Sequence, residues 1–304
     1  MTRPFRFGVQ RLEYGDPREI AAFARRAEEL GYDELFSYDH IGAEDPFAPL
    51  LVAAGATEAL RVGPLVLNNE LHHPVLIART AATVDRMSGG RLVLGLGAGY
   101  TQSEHDAIDV PLRPPGERVD RLAESVVVIR SLLDEGAVTF SGAHHHVALD
   151  DLGTPPTQPH VPLLIGGHGR RMVELAARHA DIFQFTGLTH GDGGALQPGG
   201  FDIAAVDERA RWLTTTAGGR DTDIERSALV QFAAVGDDAP DTSELAARFG
   251  LDAATIEASP FVLTGRAPRI VGKLERLRER IGVSHVVIRD PEGFAPIVDA
   301  LRGR

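Results

Sequence analysis

Short apolar runs alternate with longer helix-patterned stretches along this chain, and that alternation limits its fold more than any other feature. The runs are FRFGV (5–9), ELFSY (34–38), RVGPLVL (61–67), RLVLGL (91–96), PLLIG (162–166), DIFQF (181–185), ALVQFA (228–233) and HVVI (285–288). Several are apolar throughout, as in parallel strands covered by helices. Helical periodicity predicts helices over 18–30, 75–87, 118–133, 170–179 and 267–281. In the first of these, Ile20, Phe23, Ala24, Ala27 and Leu30 form one stripe and Gly31 supplies the stop. Eight strands alternating with helices predict an α/β fold, a (β/α)8 TIM barrel, as a single domain over 1–304. An open dinucleotide-binding sheet needs a glycine-rich turn directly after the first strand, whereas the chain there reads GVQRLEYGDP.

Three segments break the alternation and predict insertions after the fourth, sixth and seventh strands. Residues 138–149 have the pattern of a hairpin with Ser141-Gly142 at its turn. Residues 187–200 form a glycine-rich loop near the mouth of the barrel, expected to be mobile. Residues 237–260, polar and alanine-rich, are expected to form short helices over the same mouth. The chain has no cysteine, which excludes disulfides, zinc thiolate sites and thiol nucleophiles. A formal net charge of −12 argues against a nucleic-acid partner. No run of about 18 apolar residues marks a membrane span. The N-terminal MTRPFRFGVQ lacks the apolar centre of a secretory signal, so a cytoplasmic location is expected.

Ligands of such a barrel bind at the C-terminal ends of the strands, so the candidates are the residues that follow each strand. After the second comes Asp39-His40, an imidazole able to exchange a proton near neutral pH beside a carboxylate able to orient it. The same pair also suits the capping of a turn. After the third come Asn68, Asn69, Glu70, His72 and His73, which suit a polar loop and a helix cap. After the fourth, Gly95, Gly97 and Gly99 let backbone approach a flat ligand, though glycines also suit barrel corners. Tyr100 and Glu104 follow as mouth candidates. After the fifth, Gly166, Gly167, His168, Gly169 and Arg170 lead into a helix. Such a turn gathers N–H groups that attract phosphate, with Arg170 and Arg171 adding charge, but it is also an ordinary strand-to-helix turn. His144-His145-His146 alternate faces if they lie on a strand and have no spaced carboxylate partner, so no metal site is expected. A serine-nucleophile elbow, G-x-S-x-G, is absent from the sequence.

The string HPVLIARTAATVDRMSGGRLVLGLGAGY (73–100) closely resembles the luciferase-like monooxygenase superfamily, in its coenzyme F420-dependent (deazaflavin) subgroup. The match rests on Pro74, Ala78, Ala81, Asp85, Ser88, Gly89, Gly90, Arg91, Gly95, Gly97 and Gly99. It continues through Pro159, Pro162, Ile165, Gly166, Gly167 and Ala180-Asp181, and ends with LTGRAPRIVGKLERLRERIGVSHVVI (263–288). The resemblance implies a barrel oxidoreductase moving a hydride between coenzyme F420 and an unidentified small organic substrate. FMN, in a monooxygenase, is the alternative, and a non-catalytic cofactor-binding barrel is the reading from another class. It further implies proton transfer by His40, oriented by Asp39, with Glu104 as a second candidate. Ring contacts are implied at Leu65, Val66 and Leu67, which would carry a non-proline cis peptide, and at Gly97, Ala98, Gly99 and Tyr100. The phosphate would sit at Gly166, Gly167, His168, Gly169 and Arg170, with Arg266 and Arg289 near an anionic tail. A homodimer and a separate F420 or FMN reductase are expected as partners. One departure stands out: sugar-phosphate dehydrogenases of this family often place an aromatic residue shortly after the Asp-His pair, where this chain has Ile41-Gly42-Ala43-Glu44.

Overall fold

The apolar runs pair in parallel in the computed structural model, which describes residues 3–190 and 196–304. The barrel strands, counted in chain order, are Arg6–Gln10, Glu34–Ser37, Arg61–Pro64 (resuming at Leu67–Asn68), Leu94–Gly97, Leu163–Gly167, Ile182–Phe185, Glu225–Leu229 and Val283–Ile288. Around the sheet they run third, second, first, eighth, seventh, sixth, fifth, fourth. The cylinder closes where Leu67 pairs with Leu96, Asn68 with Gly97, and Val62 bridges to Leu92. The second, sixth and eighth strands are buried at every position. Inside the cylinder, Phe36, Leu65, Val93, Leu164, Ile182 and Val287 form one apolar cluster. The larger core lies between the strands and the surrounding helices.

Helices occupy Pro17–Glu29, Pro74–Met87, Pro115–Glu135, Arg170–His179 and Ala267–Ile281, within a few residues of the spans expected from periodicity. The first begins with a capping box, in which Asp16 accepts from Arg18 and Glu19 N–H groups and the Glu19 side chain answers Asp16 N–H. Ala48–Ala56 is a further helix that gives no amphipathic stripe because nearly every residue in it is apolar. Among the described residues no helix is long and apolar enough to cross a membrane.

The insertions take recognisable form. Val138–Ser141 and His146–Leu149 pair antiparallel, so the hairpin turn spans four residues rather than sitting on Ser141-Gly142 alone. Thr242–Phe249 and Ala253–Ala258 are the two short helices of the 237–260 stretch. Of the 187–200 segment, residues 191–195 lie outside the described residues. On either side, Thr189–His190 pairs with Leu196–Gln197. Buried Arg209 donates to the carbonyls of Thr186 and Gly200, each at 2.8 Å, tying down both ends of that segment.

The run ALVQFA does not form the single strand expected over 228–233. The barrel strand ends at Leu229, and Phe232–Val235 pairs outside the barrel with Val262–Gly265. The switch occurs where Val230 N–H still bonds Val287 O and Gln231 N–H bonds Phe261 O instead.

The Ser-Gly-Gly-Arg turn lies at the end of the barrel opposite the mouth. Gly89 and Gly90 take positive φ (70° and 83°), which favours glycine. Arg91 donates to the carbonyls of Ala54 (2.7 Å), Leu60 (2.9 Å) and Ser88 (2.6 Å). The buried Asp85 carboxylate accepts from Leu92 and Thr157 N–H and from the backbone and side chain of Gln158.

Candidate active site at the barrel mouth

The third strand breaks at Leu65-Val66, where the peptide bond is cis, as the resemblance implied. Gln10 Nε2 reaches across from the first strand to donate to Leu65 O at 2.9 Å. Val66 leans over glycines of its neighbour strand. A Cβ on Gly97 would lie 2.5 Å from Val66 Cγ2, and one on Gly95 would lie 2.1 Å from Pro64 O. Glycine is therefore required here by close approach, because Val66 fills the space that a Gly97 side chain would take, and the two together make a shelf at the strand ends. Leu65, Val66, Leu67, Gly97, Ala98, Gly99 and Tyr100 are brought together by the pairing of the resumed third strand with the fourth.

His40 follows the second strand, at the same end of the barrel. Its Nδ1–H donates to Glu104 Oε1 at 2.6 Å, and Tyr100 OH lies 3.1 Å from its Nε2. The His40 side chain is 32% exposed and that of Glu104 15%, so the imidazole is reachable and the carboxylate lies behind it. Glu104 sits on the short helix Gln102–Ala107, and its second oxygen accepts from Ile41 N–H at 3.3 Å.

The expectation that Asp39 orients His40 is not met. Asp39 Oδ2 accepts from Asn68 N–H and from His72 Nε2, each at 2.8 Å. Consecutive residues leaving a strand point to opposite sides, and here Asp39 points toward the third-strand loop. The pair is thus split: His40 belongs to the mouth, and Asp39 holds the loop that follows the cis bond. His72, taken from sequence as loop polarity, is Asp39's partner. Residues 33 positions apart give no local pattern from which to read that contact. Asn68 continues the network, its Nδ2 lying 3.2 Å from His105 Nε2. His73 fills its expected place as the cap of the next helix, accepting from Val75 N–H.

Across the mouth, Gly166 and Gly167 end the fifth strand, His168 follows, and Gly169 caps the helix Arg170–His179 with no side-chain bond. The first-turn N–H groups therefore have no capping side chain, and the helix dipole adds to their pull on an anion. Charge from Arg170 and Arg171 is not spare. Arg170 Nε bonds Glu174 at 2.9 Å, and Arg171 pairs with Asp120. Arg266 pairs with Asp237. Arg289 is at the mouth, reaching Gln10 Oε1 at 3.3 Å and Gln231 Oε1 at 3.4 Å. Among the described residues, no group of three or more histidines and carboxylates is placed to hold a metal. Of the three consecutive histidines, His145 is buried against Ser125 and stacked edge-on with His73.

The sequence model of the luciferase-like monooxygenase family matches residues 1–197. The chain belongs to that family. An F420-dependent glucose-6-phosphate dehydrogenase from Microbacterium testaceum is 36% identical over 192 residues, 60% of this chain and 56% of that one. A 5,10-methylenetetrahydromethanopterin reductase from Archaeoglobus fulgidus is 30% identical over 176 residues, 58% of this chain and 51% of that one. The matched region thus spans about half the length of these curated relatives. Among solved structures, a coenzyme F420-dependent tetrahydromethanopterin reductase from Methanopyrus kandleri superposes with a TM-score of 0.76 at 20% identity, covering 97% of each chain. That likeness extends the barrel fold over the part of the chain that the family match leaves out.

Proposed function

We propose that the protein is an oxidoreductase that moves a hydride between coenzyme F420 and a small organic substrate. The observation that carries this reading is the juxtaposition, in one mouth, of a glycine shelf for a flat ring and an uncapped helix start for its phosphate. His40 stands beside the shelf with Glu104 behind it. The residues fit the group at its phosphate, because the helix that starts at Arg170 has no side-chain bond at its Gly169 cap.

When bound, a deazaflavin supplies the hydride donor or acceptor. The chain's own residues hold and move the proton. His40 takes up or gives back the proton, and the Glu104 carboxylate stabilises the imidazolium that results. Leu65, Val66, Leu67, Gly97, Ala98, Gly99 and Tyr100 would back the ring, and the turn from Gly166 to Arg170 would bind the phosphate. A homodimer and a separate reductase belong to the same proposal.

The relatives' names place sugar phosphates and pterins among the compounds to try. The missing aromatic after His40 disfavours a sugar phosphate. The test is anaerobic titration of the purified protein with F420 and, separately, with FMN, followed by turnover assays with sugar phosphates, secondary alcohols and reduced-pterin substrates. Binding of F420 in preference to FMN is expected. Binding of FMN alone would replace this reading with the monooxygenase activity for which the family is named.

A further inference from the structure

Both ring nitrogens of His40 are already engaged. A carboxylate can only accept, so the neutral ring carries its proton on Nδ1, facing Glu104 Oε1 at 2.6 Å. That leaves Nε2 as a bare acceptor. The group in front of it is the Tyr100 hydroxyl, at 3.1 Å, with the two rings edge-on at 5.6 Å between centroids. The phenol therefore donates to Nε2. Tyr100 also ends the Gly97–Tyr100 turn, whose first residue touches Val66 and so belongs to the shelf. Glu104, His40 and Tyr100 thus form one line, in which the phenol covers the imidazole nitrogen that Glu104 leaves free.

We propose that Tyr100, rather than His40 itself, is the group that exchanges a proton with the substrate, and that His40 takes up the Tyr100 proton as an imidazolium held by Glu104. This rests on the oxidoreductase reading above. For an alcohol substrate the balance is as follows. The carbinol C–H bond breaks, and its electron pair leaves as hydride for the deazaflavin-class acceptor. The substrate O–H bond breaks, and its proton goes to the Tyr100 oxygen. The Tyr100 proton moves to His40 Nε2, and the imidazolium keeps its Nδ1–H on Glu104. A carbonyl product remains, and carbonyl reduction runs the same movements backward. Burial pushes the Tyr100 hydroxyl's pKa upward, outweighing the lowering effect of its hydrogen bond with the Thr101 side chain, and the charge of Glu104 adds to the rise, so the phenol holds its proton at neutral pH until a base takes it. Nε2 is that base.

The experiment uses Tyr100→Phe and Glu104→Gln in the full chain. Without cofactor, ¹⁵N-histidine NMR should show His40 in the Nδ1–H tautomer. The Nε2 resonance should move in Tyr100→Phe, and the tautomer should change only in Glu104→Gln. Diethylpyrocarbonate should modify His40 faster in Tyr100→Phe, because Nε2 loses its cover. With F420 and a substrate found by the turnover screen, Tyr100→Phe should lower kcat by about 10²–10⁴-fold, with KM and F420 affinity nearly unchanged. An Nε2 resonance and a modification rate identical to wild type in Tyr100→Phe would overturn the proposal, as would wild-type kcat in that variant. If NMR shows the line but F420 does not bind, the proton line stands and the oxidoreductase reading fails.

Discussion

At the scale of single residues, the imidazole was legible from sequence and its partner was not. His40 follows a strand in a barrel whose ligands sit at strand ends, which suffices to place it at the mouth. Which carboxylate it meets depends on how the chain leaves the strand. Gly42 takes φ of 100° between Ile41 and Ala43, and in that turn Ile41 N–H joins His40 in bonding to Glu104, 64 residues from the imidazole. Neighbouring position in sequence suggested Asp39, and backbone direction excluded it. If His40 is the proton-handling imidazole, His40→Ala should lower turnover by about 10²–10⁴-fold, seen in steady-state assays, and leave F420 affinity nearly unchanged. Unchanged turnover would remove His40 from the chemistry.

At the scale of elements, the helix and turn of the most recognisable string hold the scaffold, while the glycines at its end lie at the proposed site. Asp85 and Arg91 tie the Pro74–Met87 helix to the start of the fourth strand, away from the mouth. Asp85→Ala should leave several buried N–H groups without an acceptor. The expected cost is about 3 kcal/mol or more in urea unfolding at neutral pH. The folded fraction should keep its F420 affinity, and a selective loss of affinity would contradict the scaffold role. Gly97→Ala should do the reverse. Its methyl would press into Val66, at about 1–3 kcal/mol for such overpacking, and F420 affinity should fall about tenfold or more in a fluorescence titration. The strand pair Phe232–Val235 with Val262–Gly265 escaped the sequence reading because Leu229 and Phe232 lie in one apolar run, and periodicity alone does not show where such a run changes sheets.

At the scale of the whole molecule, the two ends of the barrel carry different chemistry. The mouth collects the polar groups described above. The other end is closed by Arg6, Glu34, Glu225 and His285, with Arg6 paired to both glutamates and His285 Nε2 3.2 Å from Glu34. Arg61 lies near enough to feel this cluster, so two cations balance two anions without a charge on His285. Burial pushes His285 down to about 4, outweighing the opposing pull of Glu225. An unfolded histidine takes its proton near pH 6.5, so between that pH and about 4 the unfolded chain binds a proton that the native one refuses. Stability should therefore be complete above pH 6.5 and fall by up to about 3 kcal/mol as pH drops through this window. In urea unfolding at pH 7 and pH 5, His285→Asn should show a smaller difference between the two than wild type. An equal difference would assign the acid sensitivity elsewhere. The alternation of apolar runs and helical stripes was enough to predict the barrel, because closure needs only strand number and buried faces. The identity of the substrate was not legible, since the segments around the mouth follow no pattern that spacing can decode. The most direct test of the central claim is a crystal structure of the protein soaked with F420. Expected is the ring on the shelf formed by Val66 and Gly97, with its phosphate on the N–H groups at Gly169–Arg171. A mouth without cofactor, or a cofactor bound away from that turn, would contradict it.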